Sequence, residues 1–216
     1  MQIHFTTSFL RFFFLVLFVY LNLHSLAAFA ASGEKFYGYW YFGHDSNIKI
    51  GNKSTKSEYD RFMAEHPDLK ASAWSISNTK FAGYAHKSDR QYLGGMVASG
   101  GYYAKPNAGE LMSISISRVY ASYLLFLFSN KKGLFIELSG GPVMAGYEKK
   151  RMEEVTYTAS RSKQEYGYGA SVALGYEFCL IKWFGVNIQT GYNFAHSAAL
   201  GNVTWNEYGA AASLSF

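Results

Sequence analysis

Apolar residues recur at every second position along much of this chain, and the pattern is clearest at its end. Counting back from Phe216, the residues Leu214, Ala212, Ala210 and Tyr208 share one parity, while Ser215, Ser213, Ala211, Gly209 and Glu207 share the other. A period of two marks a β-strand with two unlike faces. The segment before repeats it, with Phe184, Val186, Ile188, Thr190, Tyr192 and Phe194 against Gly185, Asn187, Gln189, Gly191, Asn193 and Ala195. Earlier still, Tyr166, Tyr168, Ala170, Val172, Leu174, Tyr176 and Phe178 alternate with Gly167, Gly169, Ser171, Ala173, Gly175 and Glu177.

The second face decides the solvent. In a soluble β-sandwich it would meet water and favour Lys, Glu and Thr; here it is mostly Gly, Ala, Ser and Asn. Such residues suit the narrow interior of a small closed barrel. The apolar face begins and ends in Tyr or Phe, as expected of aromatic girdles at two membrane interfaces. A lipocalin-like barrel would place its apolar side chains inside instead. The pattern predicts an all-β fold, an antiparallel up-and-down transmembrane β-barrel.

Working back along the chain gives eight candidate strands: 34–43, 73–86, 91–103, 111–128, 133–148, 164–178, 183–195 and 203–216. Short connectors at Lys87–Arg90, Ser129–Lys132 and Cys179–Lys182 alternate with longer ones at 44–72, 104–109 and 149–163. Bacterial outer-membrane barrels have an even strand number, short periplasmic turns and long outer loops. Within the first long connector, Ser57 to Glu65 predicts a short rim helix with Ser57 as its cap, stopped by His66-Pro67. Tyr59, Phe62, Met63 and His66 would share one face of it.

The beginning of the chain predicts where it goes. Arg11 precedes the apolar run Phe12–Leu21, and Ala28-Phe29-Ala30 fits the small-x-small cleavage rule. Asn22, His24 and Ser25 interrupt that run too early for a membrane-spanning helix. Residues 1–30 therefore read as a signal peptide and 31–216 as the outer-membrane barrel. Composition agrees. With 49% hydrophobic, 19% aromatic and 16% charged residues the chain is not intrinsically disordered. Its single cysteine, Cys179, excludes an internal disulfide framework or a cysteine-cluster zinc site. The net charge of +5 argues for an anionic surface, such as outer-membrane lipopolysaccharide or a host glycan, rather than nucleic acid.

The run Gly140-Gly141-Pro142-Val143-Met144-Ala145-Gly146-Tyr147, the run Tyr166-Gly167-Tyr168-Gly169-Ala170, and Trp205 to Phe216 resemble the small eight-stranded outer-membrane barrels of the OmpX/Ail type. The likeness covers roughly the last 85 residues. It implies a surface protein of the Gram-negative outer membrane, acting in adhesion, resistance to host defence or envelope stability, with no catalytic residues to carry over. It also implies that Phe216 is the signal read by the outer-membrane assembly machinery.

Three chemistries compete. His196, Ser197 and Glu207 supply a base, a nucleophile and an orienting acid near one connector. The lipid A deacylase family is similar in using His, Ser and an acid near its C-terminus, but it spaces His and Ser by one residue and follows with Asn. Here the two are adjacent, Ala198 follows, and neighbours on a strand face opposite ways. Glu137, Glu177 and Glu207 have inward parity and Arg118 joins them, which predicts a plugging ion-pair network ahead of a conducting pore. The segment 149–163 carries five bases and two acids. Its Lys149, Lys150, Arg151, Arg161 and Lys163, beside Tyr157, are the candidate site for anionic glycan or lipopolysaccharide phosphate. No cofactor and no metal site is expected, because no histidine has ligand spacing with another His, Cys or acid cluster. Cys179 reads as a lone thiol in a periplasmic turn.

Overall fold

The computed structural model describes residues 36–65, 75–88, 90–104, 110–128, 132–153 and 156–215. The expected leader, His66 and Phe216 lie outside these. Eight antiparallel strands in chain order close into a barrel: β1 (Phe36–Ile50), β2 (Ser75–Ser88), β3 (Gln91–Ala104), β4 (Glu110–Phe126), β5 (Gly133–Glu153), β6 (Thr156–Ile181), β7 (Phe184–Ser197) and β8 (Gly201–Ser215). β8 pairs back onto β1, so no sheet edge is left within the closed part of the wall.

The strands differ from the sequence expectation in three places. β6 runs on to Ile181, so Cys179 stands on the strand and the turn is Lys182 and Trp183. β1 runs on to Ile50 through a bulge between Ser46 and Lys49, where Asn47 takes a left-handed φ of 56°. The extra residue shifts the parity, so that Ile50 turns inward opposite Val203 instead of following Trp40 and Phe42 outward. The larger correction concerns 149–163, expected as a long loop. β5 and β6 stay paired as far as Glu153 opposite Thr156, so the segment is a hairpin. Both of its faces lack the apolar alternation that reveals a strand, and the pairing is decided by register with the neighbouring strand.

Helix α1 (Lys53–Glu65) sits over the mouth of the barrel. Its cap is Asn52, not Ser57: Asn52 Oδ1 accepts the Ser54 and Thr55 amides at 3.0 and 3.3 Å. The Thr55 hydroxyl donates to Ala199 O at 2.8 Å, and the Asn52 amide donates to Leu200 O at 2.8 Å. These bonds tie the helix to the β7–β8 turn. Phe62 is fully buried below it, with Tyr59 partly buried beside it. Burial raises the pKa of the Tyr59 hydroxyl, and neighbouring Asp60 adds to the shift.

The outward face carries the apolar belt expected from β6, β7 and β8, with Tyr168, Val172, Leu174, Tyr176, Phe178, Ile188, Tyr192 and Leu214 all exposed. On β4 the belt ends within one strand. Val119 and Ala121 face out and are exposed, whereas the outward positions above them are Ser117 and Ser115. The inward positions Phe126, Leu124, Ser122, Tyr120 and Arg118 are followed above by Ile116, Ile114 and Met112, all buried. No register shift intervenes between Ser117 and Ala121 on the β3 side. The outward face itself turns from apolar to polar.

Three tiers fill the interior. At the turn end, Tyr37, Tyr39, Tyr84, Tyr92, Phe126 and Phe135 are buried in one aromatic cluster, with Tyr37 and Phe126 edge to face at 5.5 Å. The small inward residues of β6 make room for it and for the tier above. A Cβ at Gly175 would collide with the Phe135 ring, and one at Gly169 with the Tyr120 hydroxyl. A polar and charged tier follows. Above it lies an aliphatic tier of Ile50, Met112, Ile114, Ile116, Val143, Ala145, Leu200 and Val203, closed by Phe62.

Candidate functional site

The middle tier gathers the inward charges. Glu207 on β8 accepts Lys80 Nζ at 2.8 Å, Arg118 Nη2 at 3.2 Å and Asn78 Nδ2 at 2.6 Å. Lys80 also donates to Gln189 at 3.3 Å and lies 3.9 Å from Glu137. Arg118 donates to Asn78 Oδ1 at 3.0 Å and to Asn193, and its guanidinium stacks over the Trp205 ring at 5.2 Å. Asn78 reaches Asp45 at 3.1 Å. Glu137 accepts the Tyr39 hydroxyl and Ser139, and Glu177 accepts the Tyr37 hydroxyl and Ser213. Lys80, Arg118, Glu137 and Glu207 are each 1% exposed. Charges withdrawn this far from water persist only when paired. The tier is a plug.

Of the expected ion-pair network, Glu137, Glu207 and Arg118 are joined, with Lys80 and Asp45 as members the sequence pattern missed, whereas Glu177 is held by the Tyr37 and Ser213 hydroxyls. Lys80 stands in a Ser-, Asn- and Lys-rich stretch without clear alternation, and Asp45 falls in the connector 44–72, beyond the predicted end of the first strand. The inward parity of Lys80 with Tyr84 and of Asp45 with Tyr41 was the available signal.

The structure does not bring His196, Ser197 and Glu207 together. His196 faces out, stacks on Tyr168 at 5.2 Å and pairs through Nδ1 with Asn202 Oδ1 at 2.7 Å. Ser197 is buried and its Oγ accepts the Leu200 amide at 3.2 Å, closing the β7–β8 turn. Glu207 lies opposite Gly191, six residues down the strand from Ser197, about 20 Å away along β7.

The basic segment forms the top of the β5–β6 hairpin. Its pairing sets Lys149 opposite Arg161, Lys150 opposite Ala159, Arg151 opposite Thr158 and Met152 opposite Tyr157. On its other side Arg151 pairs with Glu110 of β4. The hairpin runs nine residues beyond the pair of Met144 and Tyr166, roughly 30 Å of strand. Lys163 Nζ lies 3.1 Å from Glu165, and Lys149 Nζ sits over the Phe62 ring at 5.5 Å, joining hairpin and helix. The side chains of Lys150, Arg151, Tyr157 and Arg161 lie outside the described residues. Among the described residues no group of three metal-ligating side chains converges.

The chain matches no protein-family model and no curated protein. Among solved structures it is similar to Ail, the attachment invasion locus protein of Yersinia pestis, in complex with the heparin analogue sucrose octasulfate. That likeness has a TM-score of 0.54 at 10% identity and covers 85% of this chain and 99% of Ail. Neisserial surface protein A aligns over 84% of this chain and 97% of its own at 12% identity, with a TM-score of 0.47. The chain has the fold of the small outer-membrane barrels. Its outward belt is built for the same solvent, and the OmpX/Ail-like layout expected from the sequence is borne out.

Proposed function

We propose that the protein is a non-enzymatic barrel of the outer-membrane surface that engages anionic glycans through the top of its β5–β6 hairpin. The anion is the phosphate of lipopolysaccharide or the sulfate of a host glycan, and the consequence is attachment or envelope integrity. One observation carries the reading. Lys149, Lys150, Arg151, Arg161 and Lys163 stand on a paired hairpin, with one bulge between Lys149 and Lys150, that rises past the apolar belt. A paired scaffold spares most of the ordering cost that a loose loop would incur on binding. Support also comes from Ail, a protein of the same fold, bound to a sulfated sugar.

Replacing the five bases with Gln should abolish salt-sensitive retention on heparin and on lipopolysaccharide, leaving the heat-dependent electrophoretic shift of the barrel intact. Undiminished retention would remove the hairpin from the function. The filled interior supports surface engagement over conduction, and the separation of His196, Ser197 and Glu207 supports a non-catalytic role. Expression should accordingly leave the mass profile of lipid A unchanged.

A further inference from the structure

The β5–β6 register sets Lys149 directly opposite Arg161. Like charges facing each other across an antiparallel ladder destabilise the pairing, yet this hairpin keeps two cations at one step. A bulge follows at once, between Lys149 and Lys150. Bulges re-aim side chains and gather beside binding sites. Below the bulge, Val143, Ala145 and Tyr147 turn inward and are buried, and Lys149 continues their parity. It therefore faces the barrel axis above the mouth, half-buried, with Nζ 5.5 Å from the centre of the Phe62 ring. Phe62 is itself buried, and its helix is tied to the β7–β8 turn through Asn52 and Thr55.

Given the glycan reading of the hairpin, on which this rests, we infer that Lys149 is the anchor of the anion site and that α1 positions it through the Phe62 ring. One sulfate or phosphate group then sits where Lys149 and Arg161 oppose each other. An anionic group between two opposed cations turns a repulsive step of the ladder into a bridged one. The ring holds the ammonium from beneath by cation–π attraction. A lysine held in this way forfeits less side-chain freedom on binding than one standing loose in water. Helix and hairpin act as two walls of one site, and Phe62 is a positioning residue that does not itself touch the ligand.

The full-length barrel, folded into phosphatidylcholine vesicles, is titrated with heparin over a range of salt concentrations. Each cation that meets a polyanion releases about one counterion, which sets the slope of log affinity against log salt. Lys149→Gln should lower that slope by about one. Phe62→Leu keeps an apolar side chain under the helix and removes the aromatic face. It should weaken binding about threefold at low salt, the worth of an exposed cation–π contact, and flatten the slope; Phe62→Trp should restore both. Added to Lys149→Gln, Phe62→Leu should cost nothing further, even where α1 comes loose, because no lysine is left to misplace. Losses that add in the double variant would overturn the proposal, since Phe62 would then act without Lys149. So would a Phe62→Leu protein that binds like the unaltered one. A parallel titration with lipopolysaccharide separates sulfate from phosphate: the ligand whose affinity responds to Phe62→Leu is the one held here. Absence of salt-sensitive binding in the unaltered barrel would instead remove the hairpin from the function, and its anchor with it.

Discussion

Below Ser117 the wall of this barrel is apolar outside, and its lumen holds paired charges over a buried aromatic cluster; above Ser117 the wall is apolar inside and polar outside. β4 carries both arrangements on one uninterrupted register along β3, from Tyr123, Ala121 and Val119 facing out to Ile116, Ile114 and Met112 facing in. In the lower region hydrocarbon accepts the apolar side chains, so the lumen takes the charges and must pair them. In the upper region water surrounds the wall, so the apolar side chains withdraw inward and need a cover, which α1 and Phe62 supply. One strand grammar serves two solvents.

The comparison can be broken most severely at the plug. Glu207→Ala leaves Lys80 and Arg118 buried without their shared carboxylate and should cost about 3–5 kcal/mol. Urea unfolding in lipid vesicles measures it, and a loss below 1 kcal/mol would mean that water already reaches the tier. The boundary itself comes next. Val119→Lys puts a cation in the belt and should cost about 2–4 kcal/mol. Ser115→Lys, four residues away on the same face, should stay within about 0.5 kcal/mol. Equal costs would place both residues in one solvent. The smallest effect on the barrel belongs to the cover. Phe62→Ala removes roughly 1.5–3 kcal/mol of burial from α1, which should expose 53–65 to protease without moving the heat-dependent shift. Loss of that shift would show that the cover and the spanning wall unfold together.

Much of this was legible. The alternation from Tyr166 to Phe178 and from Phe184 to Phe194 assigns both faces, because only one face of each strand is apolar. Ser113-Ile114-Ser115-Ile116-Ser117-Arg118-Val119 even displays the change of outward face, once the boundary is looked for. β1 was harder. Tyr37, Tyr39 and Tyr41 alternate with Trp40 and Phe42, so both faces are aromatic and parity alone cannot tell lumen from lipid. The hairpin at 149–163 was hidden for the opposite reason, having no apolar face at all.

The sequence by itself determined a closed transmembrane sheet, its strand order and the inward place of Glu137, Glu177, Glu207 and Arg118, because a two-residue period and a one-sided apolar face are local properties. Tertiary structure alone decided that Lys80 and Arg118 meet on Glu207, that Asn52 and Thr55 dock the helix on the β7–β8 turn, and that the basic segment is a hairpin. Each of these depends on register between strands or on contacts across the lumen. Such pairings join residues as far apart as Lys80 and Glu207, which no local pattern records.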